Sequence, residues 1–528
     1  MWNRIRVPEH TGVPTIRPML HFKVFRPLAH TGAALAASLL IALGATYPLT
    51  ATAQSHLPTL GDGNELTAGA ERKLGDSIIR ELYRDPDYID DAVLQEYVQG
   101  IFQSLVTAAR ARGELSPELE ERFAWEILLG RDRTVNAFAL PGGYMGVHLG
   151  LIGVVASRDE LASVLAHELS HVTQRHIARL LAQQQRQTPL MLGAMVLGAL
   201  AASKNPGAAQ ALMIGGQAVA VQNQLNFSRD MEREADRMGY SLMQPAGFAP
   251  EGFVTMFDKL QQANRINDNG SWPYLRSHPL TTQRIADMQS RLPPGHAVPV
   301  PMPTPEHAML AARARVLSRP GVDVLRQWAS EPLGSGFAAQ PLPKRAAAWY
   351  AAALGQAQLR DYAAARRMIA PLRDAVQGDA AALHQVRLLA AEVELDAGQP
   401  QAALEQLPAV SAARPELVLR TQALLRLNRG SEMTGPLQTW LADHPHDATL
   451  WQLAASCWQQ QNLPLRAIRA EAEAQAARYD YAAAVDRLKA GQDLARKGGA
   501  QSDYIDASII DTRLREVRSL LKEQAAER

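Results

Sequence analysis

Leu161 to Leu181 reads LASVLAHELSHVTQRHIARLL, a run without glycine or proline in which His167, Glu168 and His171 form an H-E-x-x-H pattern. Its apolar residues recur at helical spacing, so the segment is predicted to be a helix. Two histidines four positions apart stand one above the other on a single helix face. Their imidazoles can hold one metal ion while Glu168 reaches a water beside it, which is the residue pattern of a hydrolytic zinc site. In a chain of 528 residues with 14 histidines, a chance match is expected only about two times in a hundred. The alternative, a pair of surface histidines on an amphipathic helix, is correspondingly weak.

A catalytic zinc takes three protein ligands and keeps a fourth position open. The metzincin solution requires Gly at 174 and His at 177, whereas this chain has Gln174 and Ile177, so that solution is excluded. His176, about 180° round the helix from His167, is expected to face away. The remaining donor is sought in Ser228 to Met243, SRDMEREADRMGYSLM, whose apolar face is Met231, Ala235, Met238 and Leu242. Glu232 and Asp236 flank that face, while Glu234 falls with Asp230, Arg237 and Ser241 on the polar side. Glu232 is therefore expected as the third ligand of one Zn2+ per chain, and Asp236 as the carboxylate that accepts a ligand histidine's other N–H. Glu168 then acts as general base, taking a proton from water and returning it to the leaving amine.

Around this core, 47% hydrophobic and 20% charged residues describe a folded globular protein. A net charge of +1 argues against a nucleic-acid partner. The single cysteine, Cys457, rules out an intrachain disulfide. Lys23 and Arg26 precede the apolar run TGAALAASLLIALGAT from Thr31, and Ala51-Thr52-Ala53 supplies a small-x-small site. A signal peptide cleaved between Ala53 and Gln54 is expected, with an uncleaved signal anchor as the alternative, and Met19 offers a second possible start. A later apolar region, 188–221, has two arms too short to span a bilayer. They read as a buried helical hairpin or as an arm that makes peripheral contact with a membrane.

Helical spacing predicts two amphipathic helices between Glu65 and Gly113, carrying Leu74, Ile78 and Leu82, then Val93, Tyr97, Ile101 and Leu105. Alternation at Phe123, Trp125, Ile127 and Leu129, and the segment from Val135 through Pro141-Gly142-Gly143 to Leu149, predict a small sheet with a glycine hairpin. Within it, Asn136, Ala137 and Phe138 belong either to a sheet edge that pairs with a substrate main chain or to an internal strand. Prolines crowd between Pro293 and Pro305, marking a linker. Beyond it, AQLRDYAAARRMIAPL from Ala357 overlays EVELDAGQPQAALEQL from Glu392 when Tyr362 is set on Pro400. A third unit starts at His444. This reads as tetratricopeptide-like helix pairs, or else as an irregular helical domain. The expected divisions are 1–53 signal peptide, 54–300 metallopeptidase domain and 306–528 repeat-like helical domain.

NAFALPGG at Asn136, HELSH at His167 and EREAD at Glu232, in that order, resemble the zinc metallopeptidases related to the CAAX prenyl protease and the heat-shock protease HtpX. The resemblance implies a mainly α-helical protein, with a gluzincin-like domain holding a small β-sheet followed by the α-helical repeats. It also implies His167, His171 and Glu232 as zinc ligands and Glu168 as base. A leader, a catalytic domain without long membrane helices and C-terminal repeats are similar to the periplasmic, repeat-bearing branch of that family. That likeness implies a periplasmic endopeptidase with a chaperone-like role, acting on unfolded or stalled outer-membrane proteins. Its implied partners are the barrel-assembly machinery and the lipopolysaccharide-transport barrel. The setting Ser277-His278-Pro279 is similar to a loop histidine that occupies the zinc's fourth position as a switch, with Arg284 in the place of a catalytic-site arginine. Read from the residues alone, His278 is equally a surface-loop histidine. An assembly scaffold with a latent zinc site is the competing reading of function.

Overall fold

The computed structural model describes residues 66–183, 228–265, 271–292, 303–498 and 503–526. The segment expected to be a signal peptide and the apolar arms at 188–221 lie outside the described residues, as does most of the proline-dense stretch.

Two helices lead into the sheet. Thr67 and Asp91 accept hydrogen bonds from Ala70 N and Leu94 N and so cap α1 (Ala68–Leu82) and α2 (Ala92–Ala111). Leu74, Ile78, Val93, Ile101 and Leu105 are buried from these two helices, as their spacing predicts. β1 (Tyr88–Ile89) lies between these helices, and after α3 (Pro117–Arg122) come β2 (Glu126–Gly130), β3 (Ala137–Leu140) and β4 (Tyr144–His148), in the sheet order β1-β2-β4-β3. β4 runs parallel to β2 and antiparallel to β3, with Ala139 opposite Met145. The β3–β4 turn places Gly142 and Gly143 at φ of 77° and 84°. A Cβ on Gly142 would stand 2.8 Å from Arg72 Cα, so both conformation and space demand glycine. β3 is an edge strand of the sheet.

Behind the sheet lie α4 (Leu149–Val154), α5 (Arg158–Thr173) and α6 (His176–Gln183), then α7 (Arg229–Met243), α8 (Glu251–Arg265), α9 (Tyr274–Ser277) and α10 (Thr282–Gln289). Every residue of α5 from Glu160 to Thr173 is buried, which suits a central helix with few charges. Its start is held twice: Ser157 Oγ accepts from Glu160 N at 3.1 Å, and Glu160 Oε2 accepts from Ala156 N, one residue before the cap, at 2.6 Å.

From α11 (Pro305–Leu317) onward the chain is helical, and paired helices open at Leu342, Ala380, Arg414, Ala448 and Tyr481. That spacing is near the ~34 residues of a helix-pair repeat. Tyr362 and Pro400, aligned in sequence, each begin the second helix of a pair. The turns within the first four pairs and the turn after the fourth carry one left-handed residue each: Arg360, Gly398, Asn428, Asn462 and Tyr479. Such a residue closes the preceding helix. No helix among the described residues is long and apolar enough to cross a membrane.

The array packs against the catalytic region around a buried cation. Arg313, 3% exposed, donates to Asp91 at 2.6 and 2.8 Å, to Glu392 at 2.7 and 3.2 Å and to Tyr350 Oη at 3.2 Å. Asp91 belongs to the cap of α2 and Glu392 to the array, so a single guanidinium ties the two regions together. Arg414 makes a second tie, with both nitrogens of its fork 2.8 Å from Asp90. Removing one partner from a buried ion network leaves uncompensated charge and costs about 3–5 kcal/mol. Arg313→Met should therefore lower the unfolding free energy by about that amount, read as a downward shift of the urea midpoint. A variant within about 0.5 kcal/mol of the parent, the range of surface substitutions, would mean that Arg313 is not a structural tie.

Candidate metal centre

Four side chains from three separate segments converge. His167 and His171 come from α5, Glu232 from the first turn of α7, and His278 from the residue that ends α9. All four are buried, and their donor atoms lie within 4.8 Å of one another. His167 Nε2 is 3.0 Å from His171 Nε2 and 3.6 Å from Glu232 Oε2. Glu232 Oε1 is 3.4 Å from His171 Nε2 and 2.9 Å from His278 Nδ1, which lies 3.3 Å from His167 Nε2. Donors held about 2.0–2.1 Å from a tetrahedral zinc would stand roughly 3.3 Å apart, so this set has the dimensions of such a site.

The hydrogen-bond network gives an independent test. His167 Nδ1 lies 2.9 Å from Asp236 Oδ1. An ionised carboxylate only accepts, so this nitrogen carries the proton and His167 Nε2 presents a lone pair. His176 Nε2 lies 3.1 Å from Glu234 Oε2, and its Nδ1 lies 2.9 Å from His171 Nδ1. By the same rule His176 is protonated at Nε2 and accepts at Nδ1, which leaves the proton of His171 on Nδ1 and a lone pair on its Nε2. Two lone pairs thus face each other across 3.0 Å in a buried site. A cation between them removes the repulsion, and two imidazoles with a carboxylate are a donor set that suits zinc.

Close helix packing builds this geometry. Gly239 on α7 rests against the turn of α5 that holds the first histidine; a Cβ there would be 3.0 Å from Ala166 C, Ala166 O and His167 N. One and two turns earlier, Asp236 and Glu232 are brought opposite His167 and His171. Arg284 then fixes both carboxylates. Its Nε and Nη2 donate to Asp236 at 2.6 and 2.8 Å, and Nη1 lies 2.7 Å from Glu232 Oε2. Burial would raise the pKa of Asp236, but the Arg284 charge and hydrogen bonds outweigh it and hold the carboxyl low. Burial likewise opposes ionisation of Glu232, and the neighbouring His278 keeps it well below the usual range.

Glu168 is fully buried, and burial raises its pKa against the pull of His278 and His167. Its Oε2 accepts from Ala139 N of β3 at 3.0 Å. Oε1 has no hydrogen-bond partner among the described residues, although His278 Nε2 stands 3.3 Å away. A carboxylate whose pKa is raised by burial is a stronger base than one in water. Asn136 O accepts from His148 N in β4, so the alternation of strand backbone turns Ala137 and Ala139 toward the outer edge. The loop carrying His278 is tied beside that edge, where Val135 N donates to Ser271 O and Tyr274 N to Val135 O.

His176 departs from the sequence expectation: it does not face away. α5 stops at Thr173, Gln174 caps it, and Arg175 takes a left-handed φ of 52°, held by an Nε bond to Glu71 at 3.1 Å. This break resets the helical phase and swings His176 back under His171. Glu234, assigned to the polar side, is half-buried there as the partner of His176 and Arg179.

Residues 93–292 match the model described as peptidase family M48. Over 495 residues, 91% of this chain and 96% of the relative, the sequence is 29% identical to the beta-barrel assembly-enhancing protease of Escherichia coli strain K12. A putative beta-barrel assembly-enhancing protease of Vibrio cholerae is 35% identical over 270 residues, 51% of this chain and 53% of the relative. The mitochondrial metalloendopeptidase OMA1 of Saccharomyces cerevisiae is 28% identical over 206 residues, 38% and 56% of the respective chains.

A side chain at Gly239 has only main chain of a buried helix to displace. Gly239→Val should separate α7 from α5 and weaken zinc binding by at least tenfold, the scale seen when the supports of metal ligands are lost. Competition with a chromogenic chelator reads this directly; parental affinity in the variant would mean that the crossing does not set the donor geometry.

Proposed function

We propose, from the match of residues 93–292 to peptidase family M48, that the chain is a zinc endopeptidase of the periplasm that acts on unfolded or stalled outer-membrane proteins. The observation that carries this reading is the convergence of the His167 and His171 imidazoles and the Glu232 carboxylate in one buried cluster beside the buried Glu168. In this reading His167, His171 and Glu232 hold one Zn2+. Bound there, the ion would supply Lewis-acid chemistry, making a water acidic and a carbonyl electrophilic.

The chain's own residues do the rest. Glu168 Oε1 receives the proton of the attacking water and passes it to the leaving amine. Asp236, locked by Arg284, keeps His167 in the tautomer that offers Nε2. The outer edge of β3 offers main-chain groups to an extended client, a mode with little dependence on side chains, which fits unfolded substrates. His278 opposes the reaction where it stands. Its Nδ1 belongs to the donor cluster and its Nε2 lies beside Glu168 Oε1, so it occupies space that water and substrate need. We read it as a switch that must leave, on a loop bounded by the short helices α9 and α10.

The name of the E. coli relative, aligned over nearly the whole chain, supports placing these clients in barrel assembly. The barrel-assembly machinery and the lipopolysaccharide-transport barrel are then the proposed partners, with the helix-pair array as the docking element. Export by residues 1–53 and peripheral membrane contact by 188–221 belong to the same proposal. A second reading, an assembly scaffold with a latent site, draws on the seat of His278 among the donors.

Cleavage of an unfolded protein separates the readings. Glu168→Gln should retain its zinc and lose about 10²–10⁴-fold in kcat. His278→Ala should cleave faster than the parent. If both the parent and His278→Ala are inert with zinc bound, the scaffold reading replaces the peptidase reading.

A further inference from the structure

The two ligand histidines are supported in different ways. His167 leans directly on Asp236, which is paired with Arg284. His171 instead meets a second imidazole: its Nδ1 is 2.9 Å from Nδ1 of His176, whose Nε2 is 3.1 Å from Glu234 Oε2, and Glu234 is 3.2 Å from Arg179 Nη1. Each chain of contacts ends in a carboxylate paired with an arginine, but the second contains one more ring. His176 is fully buried, and its ring stands at 73° to that of His171 with centroids 4.9 Å apart. This is an edge-on contact that suits an N–H directed at a lone pair better than stacking. The proton of His171 can rest on Nδ1 only if His176 Nδ1 is an acceptor, and Glu234 makes it one by taking the proton on Nε2.

We propose that His176 and Glu234 are positioning residues for the metal centre: they set the tautomer and orientation of His171 through an imidazole relay. The proposal rests on His171 being a ligand, and concerns residues that the motif itself does not contain. The unusual backbone at Arg175 has a role in this account. An uninterrupted α5 would carry residue 176 to the opposite face, so the left-handed residue is what delivers the relay ring to its place.

The asparagine side chain can present its amide oxygen near the position of imidazole Nδ1, whereas leucine fills the volume without an acceptor. Full-length protein, stripped of metal and titrated with Zn2+ against a chelating indicator, should show His176→Leu binding about 10–100-fold more weakly than the parent, the range for lost supports of ligands. His176→Asn should recover most of that loss. Glu234→Ala, at a side chain that is 29% exposed, should weaken zinc binding several-fold while leaving the melting temperature of the metal-free protein unchanged, and it keeps the test open if His176→Leu fails to fold. Parental zinc affinity in Glu234→Ala and in a folded His176→Leu would overturn the proposal. So would equal losses in His176→Leu and His176→Asn, since a purely space-filling role does not distinguish an acceptor from a methyl group. If His171→Ala binds zinc as the parent does, the ligand assignment fails instead, and the relay falls with it.

Discussion

The close crossing of α5 and α7 is the constraint on which the rest depends. Gly239 lets the two helices approach until main chain nearly touches main chain, and this places two acidic residues opposite two histidines in a region with almost no exposed surface. Burying so many ionisable groups is costly unless each has a partner. Arg284 answers Asp236 and Glu232, Asp236 answers His167, and His176 with Glu234 answers His171. What this network surrounds is the space between the Nε2 atoms of His167 and His171, with Glu168 beside it. A fold that needed only stability would have filled that position with apolar side chains.

The helix-pair array shows the same economy at larger scale. It is tied to the catalytic region by two arginines, Arg313 buried and Arg414 partly buried, each shared between acidic residues from both sides. Leu388, Ala391 and Ala423 of the array lie in one hydrophobic cluster with Leu94, Ile101 and Leu165 of the catalytic region. The described residues therefore pack as one unit.

Much of this was legible beforehand because periodic residues report buried faces. The spacing of Leu74, Ile78, Val93, Ile101 and Leu105 marked α1 and α2, the Pro-Gly-Gly turn marked the β3–β4 hairpin, and the overlay of Tyr362 on Pro400 found equivalent helix starts. Glu232 and Asp236 were separable from Glu234 because only they share the apolar flank of α7. The edge position of β3 was not readable, since a short run of small and aromatic residues fits an edge or a centre equally. His176 was misread because a helical wheel assumes an unbroken helix, and nothing about arginine at 175 announces a left-handed residue. Had the break been placed, a third histidine five positions after HELSH would have pointed to the ligand's support. Arg360 and Tyr479 hide the turns of the array for the same reason, since the conformation they adopt is one that glycine and asparagine usually signal.

The central claim is that the four buried donors enclose one metal position. Anomalous X-ray diffraction above and below the zinc absorption edge, from crystals of the protein grown with Zn2+, tests it without reference to activity. The account predicts a single strong anomalous peak about 2.0–2.1 Å from both His167 Nε2 and His171 Nε2, with an oxygen of Glu232 at similar distance. Absence of a peak there, with His167 and His171 joined by a direct hydrogen bond or turned apart, would contradict it.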